Sequence, residues 1–218
     1  AYFNHKFDSK HLFSIRILIE MERNEISEVQ IIERLKFDNT WWSQGKVPAI
    51  YDKMQPRLFF KKFFHLAYTS KVRRAIILMG PRRVGKTVMV YHQISALIRN
   101  GIAPKRILYV SMDTPIFFGC SLEELMQIYF KLNAIDPINE ECFIFFDEIQ
   151  YLEDWEIHLK SLVDSYHRVR FVASGSAAAA LKLKSRESGA GRFTDFNLPP
   201  LTFHEYIHLR DLNDLIIQ

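Results

Sequence analysis

One short segment constrains this chain more than any other. Gly80, Pro81, Arg82, Arg83, Val84, Gly85, Lys86 and Thr87, with Val88 following, lie between the apolar run Ala75 to Met79 and a helical pattern that starts at Lys86. Two glycines spaced this way before a lysine and a hydroxyl residue form a phosphate-binding loop when a strand precedes them and a helix follows. In that setting the backbone N–H groups point inward at phosphate oxygens, and the helix N-terminus adds partial positive charge. Gly80 and Gly85 allow the tight backbone, Lys86 places a point charge between phosphates, and Thr87 offers a hydroxyl to Mg²⁺. Arg82 and Arg83 can touch phosphate, or meet an acidic partner that regulates the loop. A glycine turn beside a solvated lysine is the simpler alternative, but it does not require the flanking strand and helix.

The rest of the pattern supplies the matching frame. Short apolar runs recur at Ala75 to Met79, Ile107 to Val110, Cys142 to Phe146 and Phe171 to Ala173, bounded by Gly, Pro, Asp or Ser. Helical patterns separate them at Lys86 to Arg99, Ser121 to Leu132 and about Trp155 to Tyr166. Ser121 with Glu124 forms a capping box. Such alternation predicts an α/β fold with a parallel sheet covered on both faces. Before it, Leu12, Ile15, Leu18 and Ile19 keep helical spacing, and Ser27 with Gln30 opens a second helix through Leu35. Asn39 to Pro48, carrying Trp41 and Trp42, reads as a loop with aromatic anchors, and Leu58, Phe59, Phe63, Leu66 and Ala67 form a broad apolar helical face. The expected organisation is a helical arm over 1–70, a nucleotide-binding domain over 71–209, and the start of a further, truncated helical region over 210–218.

The second chemical element is the buried strand Cys142 to Phe146, which ends in Asp147 and Glu148. Asp147 has the position of a residue that holds Mg²⁺ through water, and Glu148 can orient and deprotonate an attacking water. Two acids at a strand end can also be solubilising punctuation. A phosphate loop about sixty residues upstream favours the metal reading.

With these residues in hand, the chain resembles AAA+ P-loop ATPases, in particular the prokaryotic group whose module is usually followed by a C-terminal domain of uncharacterised function. The likeness runs from about Arg73 to Leu209. It rests on the loop Gly80 to Thr87, the strand ending Asp147-Glu148-Ile149-Gln150, and a tail with Ser174, Ser176, Gly189, Arg192, Leu198 and Glu205. The resemblance implies a three-layer fold with a five-stranded parallel sheet, its fifth strand near Phe193 to Leu198, in the order 5-1-4-3-2. It implies ATP and Mg²⁺ as cofactors. It also implies catalytic roles for Lys86 and Glu148, for Ser174 as the residue sensing the γ-phosphate, with Ser176 as a second candidate, and for Arg192. That arginine would act in cis or reach a neighbouring subunit; an arginine that caps a turn or pairs with Asp195 is the alternative.

Charge adds a separate constraint. From Lys53 to Met112 there are thirteen Lys and Arg and no Asp or Glu, so the formal charge of +4 hides a strongly one-signed segment. Phosphate is the usual partner of such a field. A triphosphate cannot absorb all thirteen cations, which leaves Arg57, Lys61, Lys62, Lys71, Arg73 and Arg74 as a surface for an acidic partner. Phenylalanines interleaved with lysines over 59–68 suggest nucleic acid, although such spacing also builds core. His204-Glu205-Tyr-Ile-His208 matches a zinc-hydrolase pattern, but Thr202 to Glu205 reads as a capping box and occupies the glutamate.

The functional expectation is Mg-dependent ATP binding and hydrolysis coupled to conformational change. An ATP-gated switch or scaffold with slow turnover is the alternative, and a DNA-associated ATPase a third reading. GTP is disfavoured because no Asn-Lys-x-Asp motif appears, and a small-molecule kinase for want of an acceptor site. No apolar run approaches the roughly 18 residues of a membrane span. Two cysteines, Cys120 and Cys142, suggest neither a disulfide framework nor a zinc cluster, which fits a cytoplasmic protein. Further expectations are a protein effector or a C-terminal domain outside this chain, and homo-oligomer formation. The start at Ala1 and the stop at Gln218 leave open that the chain is a fragment.

Overall fold

The computed structural model describes residues 27–70, 72–176 and 191–212. The expected helix over Leu12 to Ile19, the alanines at 177–180, Lys71, Gly189 and the end of the chain lie outside them. Five strands, β1 (Ala75–Met79), β2 (Ile107–Ser111), β3 (Cys142–Asp147), β4 (Val169–Gly175) and β5 (Phe193–Asn197), form one parallel sheet ordered β2-β3-β4-β1-β5. Read from β5, this is the order 5-1-4-3-2. β1, the strand that carries the phosphate loop, is buried at every residue because it lies between β4 and β5 with helices on both faces.

Strand alternation divides the core in two. Ala75, Ile77, Leu108, Val110, Ile144 and Phe146 face one layer, packed by α1 (Glu28–Asp38), α6 (Leu122–Asn133) and α7 (Trp155–Ser165). Ile76, Leu78, Ile107, Phe143 and Phe145 face the other, packed by α5 (Lys86–Arg99) and the helix α4 (Phe60–Phe64), which continues as a π-helical turn to Thr69. Both faces are therefore apolar, which is why the strands read as continuous runs. The capping boxes at Ser27 with Gln30 and Ser121 with Glu124 both form.

The arm is tied into the sheet by polar side chains. β2 is an edge strand whose outer N–H and C=O groups need partners. Asn39 mimics a neighbouring strand, accepting from Tyr109 N at 2.7 Å and donating to Tyr109 O at 2.9 Å. The indoles of Trp41 and Trp42 both donate to Ile107 O. The segment expected as a loop, Asn39 to Pro48, contains one short helix, α2 (Trp41–Gln44), and a second, α3 (Ala49–Asp52), follows directly after it. Its aromatic anchors hold as expected, Trp41 being fully buried.

Candidate nucleotide site

Chain direction brings the C-terminal ends of β1, β3 and β4 to one edge of the sheet, and the sequence-predicted residues gather there. The loop after β1 has the shape its residues suggest. Arg83 (φ 64°) and Gly85 (φ 95°) adopt left-handed conformations, the backbone geometry from which anion-binding nests of N–H groups are built. Gly80 is required for a different reason: a Cβ there would lie 2.5 Å from the carbonyl oxygen of Leu198, just after β5. Val84 is buried, whereas Pro81, Arg82 and Arg83 are exposed.

Lys86 is 5% exposed, and its ammonium donates to the carbonyls of Gly80 and Pro81 at 3.1 Å each. It is thus stored across the mouth of its own loop. Thr87 Oγ1 donates to Asp147 Oδ2 at 2.8 Å. Asp147, at the end of β3, is 2% exposed and accepts three further hydrogen bonds: from Tyr109 OH at 3.0 Å, from the Glu148 N–H at 3.1 Å, and from Ser174 Oγ on β4. Burial and the neighbouring Asp147 charge push the Tyr109 phenol far above its ordinary range, so it remains a donor. Hard oxygen donors beside a nest of N–H groups and a buried ammonium suit a polyphosphate with a small divalent cation.

Glu148 follows in a left-handed conformation (φ 50°), and its carboxylate accepts from Gln150 Nε2 at 2.5 Å. Gln150 also accepts from Ser176 N at 3.2 Å. Ser174 and Ser176 therefore sit differently, the first on Asp147 and the second, through its backbone, on the partner of Glu148.

Arg192 is placed apart from this group. Its carbonyl accepts from Ala75 N, and the β1–β5 register runs from Ala75 opposite Phe193 to Met79 opposite Asn197. A whole strand, about 16 Å, separates its backbone from Gly80. Of the two alternatives for this arginine, the cis one lacks proximity, because the residue enters β5 at the opposite end of the sheet from the loop. Its side chain pairs with Asp164 at 3.1 Å rather than with Asp195.

Residues that local spacing did not single out complete the site. Arg57, counted above among the surplus cations, is 7% exposed and forms a bidentate pair with Glu205 of α8 (Phe203–Leu209), at 2.8 and 2.6 Å. It also donates to the carbonyls of Val84, at 2.8 Å, and Pro199, at 3.0 Å. One guanidinium thus joins the arm, the phosphate loop and the segment after β5. Arg57 holds the Glu205 carboxyl below its ordinary range. The capping box expected at Thr202 is therefore only half formed: Thr202 caps the Glu205 N–H, but the carboxylate goes to Arg57. That also removes Glu205 from any zinc chemistry, and among the described residues no cluster of His, Cys, Asp and Glu suits a metal ion. Beside the loop opens a cavity of about 410 Å³, walled by Met54, Gln55, Val84, Val88, Leu201 and Leu209 among others. Val84 and Val88 belong to the loop motif, but no motif marks the other walls, because they come from two distant parts of the chain.

A five-stranded parallel sheet in this order, with a phosphate loop closing its β1 strand, defines a P-loop nucleotide-binding protein. The family model described as "AAA domain" matches residues 72–207, and the chain belongs to that family. It is similar to uncharacterized proteins of Methanocaldococcus jannaschii, at 34% identity over 63% of this chain and 28% of the relative, and of Haemophilus influenzae, at 27% over 63% and 34%. A second M. jannaschii protein matches at 26% identity over 29% of its length. The chain thus spans about a third or less of these relatives. Among the described residues no helix is long and apolar enough to cross a membrane.

Proposed function

We propose that this chain is a Mg-dependent ATPase whose core, 71–209, binds ATP through Gly80 to Val88 and couples hydrolysis to movement of the segments that hold the loop. The observation that carries this reading is the junction of Thr87, Asp147 and Ser174, three residues distant in sequence that meet within hydrogen-bonding reach beside Lys86. In this reading Lys86 leaves the carbonyls of Gly80 and Pro81 for phosphate oxygens. Thr87 and Asp147 hold Mg²⁺, Ser174 senses the terminal phosphate, and Glu148 is the base. Bound Mg²⁺ would offset charge on the β and γ phosphates. The 410 Å³ cavity takes the nucleoside, with Met54, Val88, Leu201 and Leu209 as apolar walls. Arg192 acts in trans, since it lies at the end of the sheet away from its own loop.

Steady-state turnover tests the proposal. Phosphate release should vanish in Lys86→Ala and in Glu148→Gln, with Glu148→Gln still binding ATP; undiminished turnover in either variant would refute the assignment. The alternative, a nucleotide-gated switch with slow turnover, is favoured by one observation: the Glu148 carboxylate is engaged by Gln150. Under that reading Gln150→Ala raises turnover by freeing the base, whereas a purely structural Gln150 would leave it unchanged or lower.

A further inference from the structure

The end of the sheet opposite the nucleotide site holds a second concave, charged feature. A cavity of about 270 Å³ opens where β1 and β4 begin, lined by Arg73 and Arg74 from the lead-in to β1 and by His167, Arg168 and Arg170 from the turn into β4. Among the described residues Glu141 is the one carboxylate on its walls, and it is spent on Arg170 at 2.8 Å. Asp164, close by on α7, is engaged by Arg192. Among the described residues no carboxylate pairs with Arg73, Arg74 or Arg168, and all three are exposed. Two segments about ninety-five residues apart therefore deliver uncompensated guanidinium groups to one hollow.

We infer that this cavity is a binding site for a compact polyanion, a small organic polyphosphate, distinct from the nucleotide site and independent of what that site does. Guanidinium groups are planar forks that bind phosphate oxygens in pairs. Several of them around a hollow slightly below the usual size of ligand pockets match a short, highly charged molecule. A single-stranded nucleic acid would call for free aromatic faces along a groove. The aromatic walls here are committed: Phe171 is buried in the core, and Tyr166 packs on Phe130 with its hydroxyl bonded to Glu123 and Gln127. Two aromatic residues of the basic stretch in the arm also pack on the core, Phe63 against Phe196 and Tyr68 against Phe143.

The test uses inorganic tripolyphosphate as probe and the Lys86→Ala protein, in which the phosphate loop is disabled, so that failure of the ATPase reading cannot mask the result. Calorimetry should show binding that weakens with salt, and Arg73→Gln with Arg168→Gln together should weaken it at least about tenfold. The melting temperature of the double variant should be unchanged, and the single variants should fall between. Binding that is absent in Lys86→Ala, or indifferent to Arg73 and Arg168, overturns the site. So does preference for a polymer, read as a twenty-nucleotide single strand or polyglutamate displacing the probe at lower phosphate or carboxylate concentration.

Discussion

Arg57 and Arg73 belong to the same acid-free stretch, and in the sequence they look alike. The fold treats them oppositely. Arg57 is enclosed, with each of its three guanidinium nitrogens bonded within the chain, to a carboxylate 148 residues away and to two carbonyls. Arg73 sits at the other edge of the sheet, exposed beside a cavity rich in its own charge. A local excess of one sign thus contains two populations: cations neutralised by distant parts of the chain, and cations left for something outside it. The lesson is that a charge run counts potential partners only after the buried ones have been subtracted.

The contrast can be broken most sharply at Arg57. Removing one partner of a buried ion pair leaves the other charge stranded, which costs about 3–5 kcal/mol. Arg57→Ala should therefore lower the urea midpoint strongly and loosen the phosphate loop through Val84, visible as faster amide exchange at Val84 to Lys86. A variant as stable as wild type would mean that the clamp does not bear on folding. A second buried contact of the arm carries no charge and should rank next. Asn39→Ala deprives the Tyr109 N–H and C=O of their partners on the outer edge of β2, at a cost of about 1–3 kcal/mol by denaturation.

A smaller effect separates charge from shape at the clamp. The folded-state value of Glu205 is depressed, so its contribution is fully present above the unfolded value, about 4.3, and is lost as pH falls through the lower folded one. The stability gap between wild type and Glu205→Gln should therefore hold steady above about pH 5 and close in more acidic buffer. Urea midpoints at three pH values would check it, and a gap that widens toward acid would contradict the sign. Smallest of all is Arg73→Gln, which should change stability by no more than about 0.5 kcal/mol, because the side chain is exposed and makes no ion pair among the described residues.

Much of the fold was legible because its signals are local. The helix from Lys86 to Arg99 and the strand from Ala75 to Met79 have the bounds their apolar spacing suggests. Capping at Ser27 and Ser121 depends on residues three apart, and both boxes form. The α2 and α3 turns were missed because helices of four residues carry too few positions to show a period. β4 runs longer than its apolar stretch, from Val169 to Gly175, because pairing with β1 and β3 extends it through Ser174. At the site, the loop and the acidic strand end announced themselves by type and spacing. Arg57, the walls of the 410 Å³ cavity that lie outside the loop and the bond of Tyr109 to Asp147 did not, since each is a meeting of segments with no fixed separation in sequence.

By itself, then, the sequence determined a parallel α/β sheet with a phosphate loop on a buried strand, because short-range periodicity and glycine spacing encode both directly. Tertiary structure decided which charges are satisfied, which edge of the sheet Arg192 occupies, and whether Glu205 caps a helix or holds an arginine. Those outcomes depend on where distant segments come to rest. Burial makes a buried charge find its counter-charge wherever in the chain it lies, and no local pattern records that choice.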